Sequence, residues 1–139
     1  MTIADTSGLL ALFNQREPEH GLIRQLVDDL KTPLVVSPYV IAELDYLVAT
    51  RMGVEAELQV LKELAGGAYD LAQLTADDLQ SCIETIDRYS DQEIGIADAS
   101  IVVLADRYDT NDILTLDRRH FNVLRPLAGD HFILPSSVS

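Results

Sequence analysis

The feature that most constrains this chain is its rhythm. Runs of three or four apolar residues, the length of a short buried strand, alternate with longer stretches whose apolar residues recur at helical spacing. Residues 2–4, 34–36, 113–115 and 132–134 read as strands, and 69–72 as a weaker one. Between them, Leu9, Leu10, Leu12 and Phe13 predict a helix beginning near Thr6 or Ser7, and Leu22, Ile23, Leu26, Val27 and Leu30 predict another. Ser37-Pro38 has the form of a helix start, serine as cap and proline at the first helical position. That helix should run to about Met52. Gly53 marks a break before a further helix through Leu64, which ends at Gly66-Gly67. Thr75 with Asp78 resembles a capping box opening a helix to about Tyr89, and residues 96–108 form the next after a polar break at Ser90-Asp91. Such alternation predicts an α/β sandwich around a mainly parallel sheet, with ligands beyond the carboxyl ends of the strands. A chain of 139 residues buries one core and forms one domain, 1–139.

No apolar run approaches the length a bilayer requires, and Met1 is followed by a polar segment rather than a basic and then apolar leader, so a soluble, cytoplasmic protein is expected. The single cysteine, Cys82, has no internal partner and falls in a helix, the pattern of a buried thiol. Charge is the discordant feature. With 10 basic against 23 acidic residues the net charge is −13, the reverse of a surface that grips phosphates by itself. Divalent cations held by carboxylates would supply positive charge locally, and the same balance favours a basic protein partner.

Four acids stand where the pattern makes them hard to ignore. Asp5 follows the first strand and Asp117 the fourth, the positions where α/β sheets bind ligands, although each could equally cap the turn it precedes. Glu43 lies three residues after Val40 and four before Leu47, which sets a carboxylate beside an apolar stripe; the alternatives are a place at the stripe's edge or a basic partner. Asp98 interrupts the apolar face of Ile94, Ile101 and Val102, or else answers the helix dipole in the first turn. If the four converge at one end of the sheet, their repulsion calls for cations. Mg²⁺ takes oxygen ligands, keeps several waters and needs neither histidine nor cysteine. Such ions activate water for in-line attack on a phosphodiester.

Four segments carry a resemblance: Ile3-Ala4-Asp5-Thr6-Ser7-Gly8-Leu9-Leu10, Ser37-Pro38-Tyr39-Val40-Ile41-Ala42-Glu43-Leu44, Ile96-Ala97-Asp98-Ala99-Ser100-Ile101 and Leu114-Thr115-Leu116-Asp117-Arg118-Arg119-His120-Phe121. In order and spacing, over nearly the whole chain, they resemble the PIN domain of VapC-type toxins. The resemblance implies a PIN-like three-layer α/β/α sandwich with about five strands. It further implies Mg²⁺ or Mn²⁺ dependence, endoribonuclease activity on an RNA substrate, a homodimer, and neutralisation by a cognate VapB-type antitoxin. It assigns Asp5, Glu43, Asp98 and Asp117 as metal-binding or catalytic acids, with Thr6 and Thr115 as supporting hydroxyls. Arg118, Arg119 and His120 are candidate phosphate contacts. Asp91, Glu93, Asp109 and Asp112 read better as solvated loop acids, and His20 and His131 as structural.

Rival readings meet specific obstacles. A receiver-like phosphoryl acceptor wants a lysine at a strand end, and only Lys31 and Lys62 exist, both in other contexts. A haloacid-dehalogenase-like phosphatase wants a second aspartate where Ser7 stands, and no Gly-Lys phosphate loop is present. The remaining alternative is a catalytically silent PIN-like interaction module, against which the complete set of acids argues.

Overall fold

The computed structural model describes residues 1–117. Within them, strands β1 (Thr2–Ala4), β2 (Leu34–Val36), β3 (Asp70–Leu71) and β4 (Asp112–Leu114) form one sheet in the order β3-β2-β1-β4, and every neighbouring pair is parallel. Helices α1 (Thr6–Phe13), α2 (His20–Asp28), α3 (Pro38–Met52), α4 (Val54–Ala65), α5 (Ala76–Arg88) and α6 (Ile96–Arg107) connect them. The expected parallel α/β architecture is therefore present, with four strands among the described residues. The fifth expected strand, 132–134, lies outside them.

Parallel strands covered on both faces are apolar without alternation, and that is what β1 and β2 show: Ile3, Ala4, Leu34, Val35 and Val36 are all buried. The core continues through Leu9, Ile23, Leu44, Ile101, Leu104 and Ile113. α6 is the most deeply sunk helix, with Ala97 and every residue from Ala99 to Ala105 buried. Its side chains are mostly small or β-branched, which lets it lie close to the sheet.

Helix ends follow local chemistry. Ser37 caps α3 by accepting the Tyr39 amide, with Pro38 behind it, and Gly53 breaks α3 from α4 at φ 95°. Thr75 and Asp78 form the expected reciprocal capping box at α5. Asp78 also binds Arg107 at the end of α6, which joins the two helices as an antiparallel pair. Its carboxyl is held below the usual carboxylate range by the Thr75 amide first and the Arg107 guanidinium second. Cys82 is fully buried, and burial pushes its thiol up. No described helix is long and apolar enough to cross a membrane.

The strand order decides where a site can form. From β1 the chain builds outward through β2 and β3, then returns to place β4 on the opposite side of β1. The order reverses between β1 and β4, and the crevice beyond their carboxyl ends is the natural binding position of an open parallel sheet.

Candidate active site

Asp5 occupies that crevice. It follows β1 directly, its amide continues the ladder by donating to the Leu114 carbonyl at 3.0 Å, and it is only 5% exposed. Although Asp5 sits at the cap position of α1, its side chain makes no capping hydrogen bond. The carboxylate instead takes two hydroxyls on one oxygen: Thr115 Oγ1 donates to Oδ2 at 2.7 Å and Ser7 Oγ donates to it at 2.9 Å. Capping, the ordinary explanation for an aspartate here, does not account for this side chain.

The two hydroxyls are themselves oriented. The Leu116 amide donates to Ser7 Oγ and the Asp117 amide to Thr115 Oγ1, each at 2.9 Å. Ser7 and Thr115 lie 3.1 Å apart, but each has one proton and Asp5 takes both. Backbone amides after β4 thus hold hydroxyl oxygens whose protons point at the carboxylate. Sequence reasoning named Thr6 and Thr115 as the supporting hydroxyls and passed over Ser7. The structure gives Ser7 the contact, whereas Thr6 Oγ1 is buried with no hydrogen-bond partner. The distinction turns on which side chain of the first helical turn faces β4, and no local signal carries it.

Electrostatically Asp5 is under strain. Burial pushes its carboxyl above the usual range, the Thr115 and Ser7 hydroxyls and the Thr6 backbone amide oppose that rise, and the negative charge of Glu43 adds to it. Neither Asp5 nor Glu43 has a basic partner among the described residues, where the ion pairs are Arg24–Asp28 and Arg107–Asp78. Of the positions its spacing allowed, Glu43 takes the one at the edge of the stripe. Val40 and Leu44 are buried while Glu43 is exposed, so it stands at the edge of the apolar stripe of α3 and reaches Asp5 through its charge.

Asp98 lies in the first turn of α6, half-buried between buried Ala97 and Ala99. That turn is fixed to the carboxyl end of β2, because Ser37 and Ser100 meet at 2.7 Å with both side chains fully buried. Asp117 is exposed and joins the cluster through its backbone bond to Thr115. All four acids therefore belong to segments meeting at the carboxyl edge of the sheet, though among the described residues no group of three or more His, Cys, Asp or Glu is gathered tightly enough to enclose a metal. Two clefts of about 350 and 410 Å³ lie elsewhere, around Lys31 and Tyr69 and around Phe13 and Met52, and contain none of the four.

The remaining candidates separate cleanly. Asp91, Glu93, Asp109 and Asp112 are exposed, and of the last two Asp109 precedes β4 and Asp112 opens it, at the opposite edge of the sheet. His20 Nδ1 lies 2.8 Å from the Ala11 carbonyl, a structural tie between α2 and α1. Arg118, Arg119, His120 and His131 fall outside the described residues.

Comparison with known proteins settles the family. The PIN domain matches residues 2–125, and the chain is 58% identical over 130 residues to Ribonuclease VapC26 of Mycobacterium tuberculosis, covering 94% of this chain and 96% of that protein. The chain is a PIN-domain protein of the VapC family. Solved structures of the same fold include M. tuberculosis VapC20, a sarcin-ricin loop cleaving toxin, at TM-score 0.79 and 21% identity over 86% of this chain and 92% of that one. VapBC2 of Rickettsia felis, bound to a promoter DNA fragment, superposes at 0.69 with 17% identity over 96% of both chains. FitAcB of Neisseria gonorrhoeae does so at 0.57 with 19% identity, over 87% of this chain and 91% of that one.

Proposed function

We propose that this VapC homologue is a Mg²⁺-dependent endoribonuclease, the toxin of a type II toxin–antitoxin pair. One observation carries the metal-dependent reading. The buried Asp5 carboxylate, at the switch point of the sheet, has the charge of Glu43 against it and no basic group among the described residues to answer either. A buried carboxylate without a counter-charge is costly, and a divalent cation relieves the cost.

The donor chemistry suits Mg²⁺. Asp5, Glu43, Asp98 and Asp117 are hard oxygen donors, and Mg²⁺ binds through one or two carboxylates while keeping several waters. Enclosure by three protein ligands is not required. When bound, the ion would supply positive charge that polarises a phosphodiester and activates a water for in-line attack. The chain's own part is to hold the donors still. Ser7 and Thr115 anchor Asp5 Oδ2, so Oδ1, to which neither hydroxyl bonds, is the oxygen to offer a cation. Glu43 supplies a second carboxylate on the solvent side, where a metal with its waters can enter. Asp98 and Asp117 complete the negative edge.

The same chemistry bears on partners. A chain of charge −13 approaches RNA poorly unless divalent cations neutralise its carboxylate edge, which ties substrate binding to the metal. A VapB-type antitoxin, the partner class in the Rickettsia complex, would present basic and apolar groups to this acidic surface. The protein is further proposed to work as a cytoplasmic homodimer.

The test is incubation of antitoxin-free protein with total cellular RNA in Mg²⁺, in EDTA, and beside Asp98→Asn. Discrete cuts that appear in Mg²⁺, vanish in EDTA and fall at least about 100-fold in the variant are expected, the scale on which positioned charges act in catalysis. Equal cutting by Asp98→Asn, or cutting that survives EDTA, would sink the proposal.

A further inference from the structure

Beyond the four acids, the structure contains a second set of buried hydroxyls whose protons can be assigned. Ser100 Oγ lies 2.6 Å from the Ala97 carbonyl, which can only accept, so the Ser100 proton points there. The Ser37 hydroxyl must then donate to Ser100 Oγ at 2.7 Å, while Ser37 Oγ accepts the Tyr39 amide at 3.1 Å. The result is a directed chain, from the Tyr39 amide to Ser37, to Ser100, to the Ala97 carbonyl. Both serines are 0% exposed. The chain runs from the cap of α3, the helix that carries Glu43, to the turn of α6 that carries Asp98.

Capping of α3 calls for Ser37, but it does not call for a second buried hydroxyl at Ser100. As a contact between α3 and α6, two apolar groups of the same shape would fill the space at little or no loss, whereas hydroxyls in a dry interior must each be satisfied. What the hydroxyls add is direction. An apolar contact between α3 and α6 tolerates sliding, but a hydrogen-bonded chain with one proton arrangement permits one register. Glu43 is six residues along a continuous helix from Ser37, and Asp98 is two residues before Ser100, so that register fixes the backbone positions of the two acids relative to each other.

We propose that Ser37 and Ser100 are positioning residues, which act through the backbone of α3 and α6 to fix Asp98 relative to Glu43. This rests on the reading of the carboxylate edge as a metal site, and the experiment separates the two. Three full-length proteins are compared: wild type, Ser100→Ala, and Thr85→Ala as a matched control. Thr85 is nearly as buried and its hydroxyl bonds a carbonyl of its own helix, but it stands on α5 and takes no part in the Ser37–Ser100 chain. Each is measured for unfolding midpoint, for Mn²⁺ affinity, and for the side-chain carboxyl ¹³C shifts of Asp98 and Glu43 without metal.

Both variants should lose some stability. Only Ser100→Ala should bind Mn²⁺ roughly ten-fold or more weakly, the range in which groups that orient metal ligands act, and only it should displace the two carboxyl resonances. Unchanged Mn²⁺ affinity in Ser100→Ala, or an equal loss in Thr85→Ala, would reduce the serines to packing and overturn the proposal. If wild type binds no Mn²⁺, the metal reading fails. The carboxyl shifts then decide alone: displacement specific to Ser100→Ala supports positioning, and its absence refutes it.

Discussion

Asp5 concentrates the chemistry of the site in one side chain. Its carboxylate is buried and faced by Glu43, both of which oppose ionisation, while the two hydroxyls held on a single oxygen favour it. Thr115→Val removes the shorter of the two hydroxyl bonds at nearly constant volume. The expected cost is about 1.5–3 kcal/mol, the worth of a hydrogen bond to a charged group, read as a lower denaturant midpoint at neutral pH; an unchanged midpoint would show that the hydroxyl does not hold Asp5. The raised carboxyl also predicts a pH dependence. Folding favours the protonated form, so this stabilisation is complete below the ordinary aspartate range and disappears as pH rises through the folded value. Without metal, the stability of wild type minus that of Asp5→Asn should therefore fall with rising pH and then level off. Asp78, held below the usual range, contributes in the opposite sense in both proteins and cancels from the difference. A difference that rises with pH would contradict the assignment.

At the level of elements, capping and breaking signals acted locally and were legible. The Ser37-Pro38 start of α3, the break at Gly53 and the Thr75–Asp78 box all depend on residues a few positions apart, and the sequence contains them whole. Gly8 is different. A Cβ there would stand 2.3 Å from the Leu114 carbonyl oxygen, because α1 crosses directly over the end of β4. That requirement comes from a strand more than a hundred residues away, and nothing next to Gly8 announces it. Gly8→Ala should push α1 off β4 at a cost of about 1–3 kcal/mol, as overpacking does, measured by denaturant unfolding. A wild-type midpoint would show that the close approach is easily relieved. The choice of Ser7 over Thr6 was hidden for the same reason, as was the Ser37–Ser100 contact, which spans 63 positions. The spacing of Glu43 to Val40 and Leu47 set it beside the apolar stripe without deciding its side, because a residue at a stripe's border falls on either side according to how the helix is rotated on its neighbours.

Across the whole molecule, the alternation of short apolar runs with helices was enough to read a parallel sheet and to place Asp5 and Asp117 near its carboxyl edge. It could not supply the strand order. Only the order β3-β2-β1-β4 puts the reversal between β1 and β4, and so brings Asp5 and Thr115 into one crevice. The charge of −13 acquires meaning at this scale, since the proposed cation would answer a switch-point carboxylate that has no basic partner among the described residues. The most direct test is calorimetric titration of antitoxin-free protein with Mn²⁺ at neutral pH, wild type beside Asp5→Asn. The account predicts saturable binding by wild type that is lost in the variant while the variant stays folded. Absence of saturable binding by wild type, or binding by Asp5→Asn as tight as wild type, would contradict it.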